Sequence, residues 1–254
     1  VTYSRAAVLL ISLLALLAGV GAHAAPDSSP SPFALFPGGS ADESITAPAA
    51  YSAYAGVYYV GAFGIRQVTY FAHNKRHNGD DGAVTLGAGL GQYGHGFTLT
   101  ATVADLDRPN ATYISAKWQA LAETDSLPAV GVGMEDIFEN VDLEQAQRTP
   151  YAVVSKTLWN RQRVLRGQPL GARTMLSLGY GGGRFHDELF GSAATSLSSN
   201  SEAIVEHDHW GTNLGYSLTP WPAYPNLALG FYGMRVDDPR WRTIAASATY
   251  IWAK

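Results

Sequence analysis

The run Glu206-His207-Asp208-His209 is the most chemically equipped stretch of the chain. Successive side chains of an extended strand point to opposite faces. His207 and His209 would then share a face and could grip one metal ion through imidazole nitrogens. A metal site also needs a third ligand and groups that orient the first two. The sequence identifies neither, and a polar hairpin rim accounts for the same residues. A second cluster, His73-Asn74-Lys75-Arg76-His77 with Asp80 and Asp81, reads as a solvated loop, with a recognition loop or an ion site as the alternative. No cofactor motif is present. Gly181-Gly182-Gly183-Arg184 lacks the Gly-Lys-Ser/Thr ending of a phosphate loop. A Gly-x-Ser-x-Gly elbow that would expose a serine nucleophile is also missing.

Other charges lie inside or beside stretches that alternate as strands: Lys117, Lys156, Glu135 or its neighbour Asp136, Arg184 and Glu206, with the polar Asn213 nearby. On a lipid-facing surface a Lys or Arg at the bilayer midplane costs about 2–4 kcal/mol. These groups are therefore expected inside a lumen or near its rim. Two roles stay open for them: an ion-pair network that fills a narrow barrel, or the selectivity lining of a small pore.

The elements that must position these residues are strands. In Trp210–Thr219, the residues Trp210, Thr212, Leu214, Tyr216 and Leu218 fall on one face, and Gly211, Asn213, Gly215, Ser217 and Thr219 on the other. The same period of two recurs in Val57–Phe71, Ala83–Gly91, Phe97–Asp105, Tyr113–Ala122, Leu127–Phe138, Tyr151–Trp159 and Ala172–Gly182. It continues through Phe190–Ser199, Glu202–Asp208, Leu227–Met234 and Thr243–Trp252. Clusters of Gly, Pro, Asn and Asp separate these runs. The pattern predicts an all-β, antiparallel up-and-down transmembrane barrel over residues 51–254, of about 12 strands with a range of 10–14.

Several features favour a membrane barrel over a soluble one. Charged residues are only 15% of the chain, against about 25% in ordinary globular domains. One face of many strands is apolar while the other carries Gly, Ser, Thr, Asn, Lys or Glu. Aromatics fall near strand ends, at Phe97, Tyr113, Tyr151, Trp159, Trp210, Trp241, Tyr250 and Trp252, as in the girdles of outer-membrane barrels. The net charge of -4 excludes a nucleic-acid binder, and the lack of cysteine excludes disulfides and thiolate metal sites.

Ahead of the barrel, Arg5, the apolar run Ala6–Val20 and Ala22-His23-Ala24 read as a secretory signal over residues 1–24, cut before Ala25. Residues 25–50 are rich in Pro, Ser and Ala without any period, and are expected to form a disordered tail. An even strand number would hang that tail on the periplasmic side.

Four blocks carry a family resemblance: Leu127 to Ile137 (LPAVGVGMEDI), Tyr151 to Lys156 (YAVVSK), Leu176 to Phe185 (LSLGYGGGRF) and Phe190-Gly191-Ser192. In these the chain resembles the YjbH-like outer-membrane proteins linked to exopolysaccharide, and related uncharacterised cyanobacterial barrels. The resemblance implies an outer-membrane barrel accessory to exopolysaccharide secretion, with polysaccharide as a partner and no catalytic residues. The expected function is a structural or small-channel role in the cell outer membrane, in contact with outer-membrane lipid and the barrel-assembly machinery. The alternatives are an outer-membrane lipid-modifying enzyme and a secreted, soluble carbohydrate-binding β domain.

Overall fold

The computed structural model describes residues 45–67, 80–103, 112–138, 148–165, 168–198, 200–220, 226–237 and 243–253. The signal stretch 1–24, residues 25–44, the cluster His73–His77 and Trp241 lie outside the described residues. The strands are β1 (Val57–Gln67), β2 (Asp80–Gln92), β3 (His95–Val103), β4 (Thr112–Leu121), β5 (Ala129–Glu135) and β6 (Thr149–Leu165). They continue as β7 (Gln168–Gly181), β8 (Glu188–Ser198), β9 (Ser201–Asp208), β10 (Gly211–Leu218), β11 (Leu227–Met234) and β12 (Thr243–Ala253). A 3-10 turn, Gly183–Phe185, links β7 to β8.

Each strand pairs antiparallel with its sequence neighbours, and β1 pairs β12 from Val57↔Ala253 to Gln67↔Thr243, which closes the ring. The barrel predicted from alternation is therefore present, with its twelve strands in up-and-down order. Closure gives every strand a neighbour on both sides, as a lipid environment requires, and the outer part of the β6–β7 hairpin continues past the ladders of β5 and β8. One rim, the terminal rim, holds the start of β1 and the end of β12; three of its five connections are two residues long. The opposite, loop rim carries longer connections, of 12 residues between β1 and β2 and 13 between β5 and β6.

Alternation decides which way each side chain faces. Leu86, Leu99, Trp118, Val205, Leu214, Phe231 and Ile244 are exposed on the outside, while Thr98, Lys117, Gln119, Glu206, Asn213 and Ser217 are buried inside. Trp118 is 48% exposed and the adjacent Lys117 only 6%, a contrast produced by one step along β4. Tyr58 and Tyr250 both stack on Trp252 outside the terminal rim, with ring centroids 6.0 and 6.1 Å apart. Phe97 is set beside the outward Trp118. The expected girdle needs two corrections. Tyr113 shares the inward parity of Lys117 and hydrogen-bonds the side chain of Thr102, its partner across the ladder. Tyr151 packs edge-on against the buried Phe190. Nearness to a strand end says nothing about face; odd or even position in the strand does.

The wall does not enclose empty space. Residues 45–55 bond to side chains of β3, β4, β6 and β9, strands on different sides of the ring, and so occupy its interior. Ile45, Ala47, Ala49, Ala50 and Ala53 are all buried. Three small apolar clusters line the inside, and each is built around this segment. Ile45 and Ala49 pack with Met175, Ile204 and Tyr232; Ala47 and Ala50 with Ala129, Phe185 and Phe190; Ala53 with Val57, Tyr59 and Ile251. The expected tail over 25–50 is thus corrected for residues 45–50. They have no strand period because their partners are lumen side chains rather than a neighbouring strand, and small residues are what a narrow lumen admits.

Candidate functional site: a peptide-filled lumen

Glu206 sits on β9, two residues from its end at the loop rim. The even positions of β9, Glu202, Ile204, Glu206 and Asp208, are buried inward, while Val205 and His207 are exposed. The Glu206 carboxylate accepts the backbone N–H groups of Ile45 (2.8 Å), Thr46 (2.9 Å) and Ala47 (3.2 Å). Asn213 Nδ2, in register across from it on β10, donates to the same carboxylate at 2.8 Å, and Asn213 Oδ1 accepts the N–H of Arg235. The Thr46 hydroxyl lies 2.6 Å from Glu206 and 2.8 Å from Asp208, with one proton to share between them. With three peptide N–H groups and a hydroxyl of the segment on one carboxylate, Glu206 makes more hydrogen bonds to the segment than any other side chain described.

Arg184 lies in the 3-10 turn at the loop rim. Its Nε and Nη2 take Glu135, the last residue of β5, at 2.5 and 2.9 Å, and Nη2 also donates to the Thr46 carbonyl. The guanidinium packs on the Phe185 ring, 4.1 Å from its centroid. Deeper in the lumen, Lys117 Nζ donates to the Ala49 carbonyl at 3.3 Å. Ser155 Oγ accepts the N–H of Ala50 (2.9 Å), Gln119 Oε1 that of Ser52 (3.2 Å) and Thr98 Oγ1 that of Ala53 (2.8 Å). Tyr51 donates its hydroxyl to Glu123. At the terminal rim Ala55 N donates to the Gly91 carbonyl at 3.0 Å. The wall thus addresses the segment through its peptide groups, one after another from rim to rim.

Glycines shape the room for it. A Cβ at Gly96 would stand 2.2 Å from the Ala53 carbonyl oxygen, and one at Gly131 2.8 Å from that of Ala50. Both contacts are with backbone, so neither can be relieved by a side-chain rotation.

Of the residues singled out from sequence, Lys117, Glu135, Arg184, Glu206 and Asn213 converge on this segment or on its anchors. Lys156 does not. Its place beside Leu176 in the ladder puts it on the outward parity, yet it is 1% exposed. The loop 122–128 folds over it, and Nζ donates to the carbonyls of Thr124 (2.5 Å), Asp125 (3.0 Å) and Leu127 (3.3 Å), with Glu123 at 3.6 Å. The ladder between β5 and β6 ends at Ala129↔Ser155, which frees that space for the loop. Lys156 therefore clamps a loop, and through Glu123 supports Tyr51.

His207 and His209 take separate partners. His207 Nδ1 lies 3.1 Å from the Thr212 hydroxyl, while His209 pairs with Glu188 at 2.9 Å and stacks on His186 with centroids 4.0 Å apart. The break is at the turn, since β9 ends at Asp208 and the two histidines do not share one extended strand. Among the described residues no group of three or more His, Cys, Asp or Glu is placed to hold a metal ion. Asp80 and Asp81 open β2. Beside His207, the backbone N–H of Thr212 holds the exposed Asp237 carboxyl below the usual carboxylate range.

Sequence reasoning missed the segment itself, and with it the roles of Thr98, Gln119, Ser155 and Glu123. Thr98 and Gln119 were visible as polar-face residues; nothing in ITAPAAYSAYA marks it as their partner except its small side chains.

No family model matches the chain, and no curated protein matches it. Among solved structures, an outer membrane channel from Pseudomonas putida F1 aligns over 80% of this chain and 97% of its own, with 7% identity and a TM-score of 0.40. The NanC porin aligns over 77% of this chain and 99% of its own, with 10% identity and a TM-score of 0.36.

Proposed function

We propose that this protein is an outer-membrane β-barrel and a small channel, held closed by its own residues 45–55. One observation carries the reading: the closed ring is apolar outside and polar inside. A soluble barrel buries its apolar face and wets its polar one; here Leu214 is 48% exposed while its neighbour Asn213 is 1% exposed. That inversion suits lipid around the wall and a hydrated passage within it. In outer-membrane barrels the short turns face the periplasm and the longer loops face outward, so the loop rim is the outer one. The passage is closed because the segment is no part of the wall and fills the cross-section between strands on opposite sides.

The test is conductance in planar bilayers. Wild-type protein is expected to insert and pass little current. Gly131→Val, which drives a methyl group against the Ala50 carbonyl, is expected to open larger and more frequent events. A variant that inserts as a barrel but conducts no more than wild type would sink the channel reading and leave the barrel.

A further inference from the structure

The segment 45–55 has a direction, and that direction has a topological consequence. Its first residues sit at the loop rim: Thr46 is beside Asp208, the end of β9, and bonds to Arg184 in the turn between β7 and β8. Its middle residues meet Lys117 and Ser155, and its last, Ala55, bonds to Gly91 beside the tight turn between β2 and β3 at the terminal rim. The chain then turns into β1, which runs back toward the loop rim. Read from Ile45 onward, the polypeptide crosses the lumen once, from the loop rim to the terminal rim.

We infer that the chain ahead of Ile45 leaves the barrel through the loop rim, so that the barrel presents its own N-terminal part on the side opposite its C-terminal strand end. To reach the terminal rim instead, that chain would have to return through the same lumen. The space is taken: Ala47, Ala49, Ala50, Ala53, Tyr59, Met175, Phe185 and Phe190 are all at most 1% exposed inside it. With residues 45–55 as an added crossing, the chain passes the barrel thirteen times, an odd number, and its two ends fall on opposite sides. Resting on the outer-membrane reading above, this makes the barrel an anchor that displays the Pro- and Ser-rich stretch before Ile45 at the cell surface. It differs from the expectation of a tail on the periplasmic side.

The chain has no cysteine, so single introduced thiols report position without background. Ser31→Cys marks the stretch ahead of the segment, Asn74→Cys the connection between β1 and β2 at the loop rim, and Ala223→Cys the connection between β10 and β11 at the terminal rim. Each full-length variant is expressed and treated with a membrane-impermeant maleimide, on intact cells and after the outer membrane is permeabilised. The expected result is full labelling of Ser31→Cys and Asn74→Cys on intact cells, and loss of labelling at Ala223→Cys until permeabilisation. The inverse pattern, with Ser31→Cys and Asn74→Cys protected together, reverses the barrel's orientation and still supports exit at the loop rim. Labelling of Ser31→Cys in step with Ala223→Cys, and out of step with Asn74→Cys, overturns the inference while leaving the membrane barrel standing. Equal labelling of all three on intact cells removes the membrane reading and the inference together.

Discussion

At the scale of single residues, the lumen works through one carboxylate more than through any other group. Glu206 faces three successive peptide N–H groups, a hydroxyl and an amide. Removing such an acceptor leaves buried donors unmet, at about 1–3 kcal/mol for each that water cannot reach. Glu206→Ala is therefore expected to destabilise the full chain by about 3 kcal/mol, read as a lower urea midpoint in detergent. Glu206→Gln keeps one acceptor oxygen but turns an NH2 toward the remaining donors, and is expected to recover only part of that loss. Equal midpoints for wild type and Glu206→Ala would show that the segment is held without this carboxylate. Arg184 and Glu135 were legible as charges that must avoid lipid; that Glu135 holds the guanidinium which grips the Thr46 carbonyl was not, since they lie 49 positions apart and meet only across the β5–β8 wall.

At the scale of the strand, facing follows from odd or even position between bulges. Ile114, Ala116 and Trp118 look out of β4 while Lys117 and Gln119 look in, as their order in the sequence requires. The rule is sharp enough to test on adjacent residues. Leu214 is outward at the middle of β10, so Leu214→Arg is expected to cost about 2–4 kcal/mol in a bilayer. The measurement is the fraction refolded into liposomes across a urea series. A Leu214→Arg protein that refolds like wild type would place this face in water rather than lipid. Where parity failed, at Lys156, a loop had replaced the neighbouring strand. Alternation describes what a strand faces in its sheet and not what folds over it beyond the ladder's end.

At the scale of the molecule, β1 and β12 join with eleven register pairs and close the sheet into a ring. A closed ladder of this kind resists detergent until heated. Unboiled protein is expected to migrate differently from boiled protein on SDS gels and to need detergent for extraction. Unchanged mobility together with free solubility would count against lipid around the wall. Closure also bears on assembly. Because residues 45–55 lie inside a finished ring, they must be in place when β1 meets β12 or be threaded afterwards, and their anchors on β3, β4, β6 and β9 come from strands that lie between the closing pair in the chain.

The sequence by itself determined the up-and-down β architecture, a strand number near twelve, and which residues of a strand share a face. Those properties follow from local alternation and from turn residues, which need no knowledge of the rest of the chain. Only the tertiary structure decided what fills the lumen. A segment such as ITAPAAYSAYA carries no period, because its hydrogen-bonding partners are spread over strands up to 167 positions away. Its fit depends on the distance across a ring that exists only once twelve strands have closed.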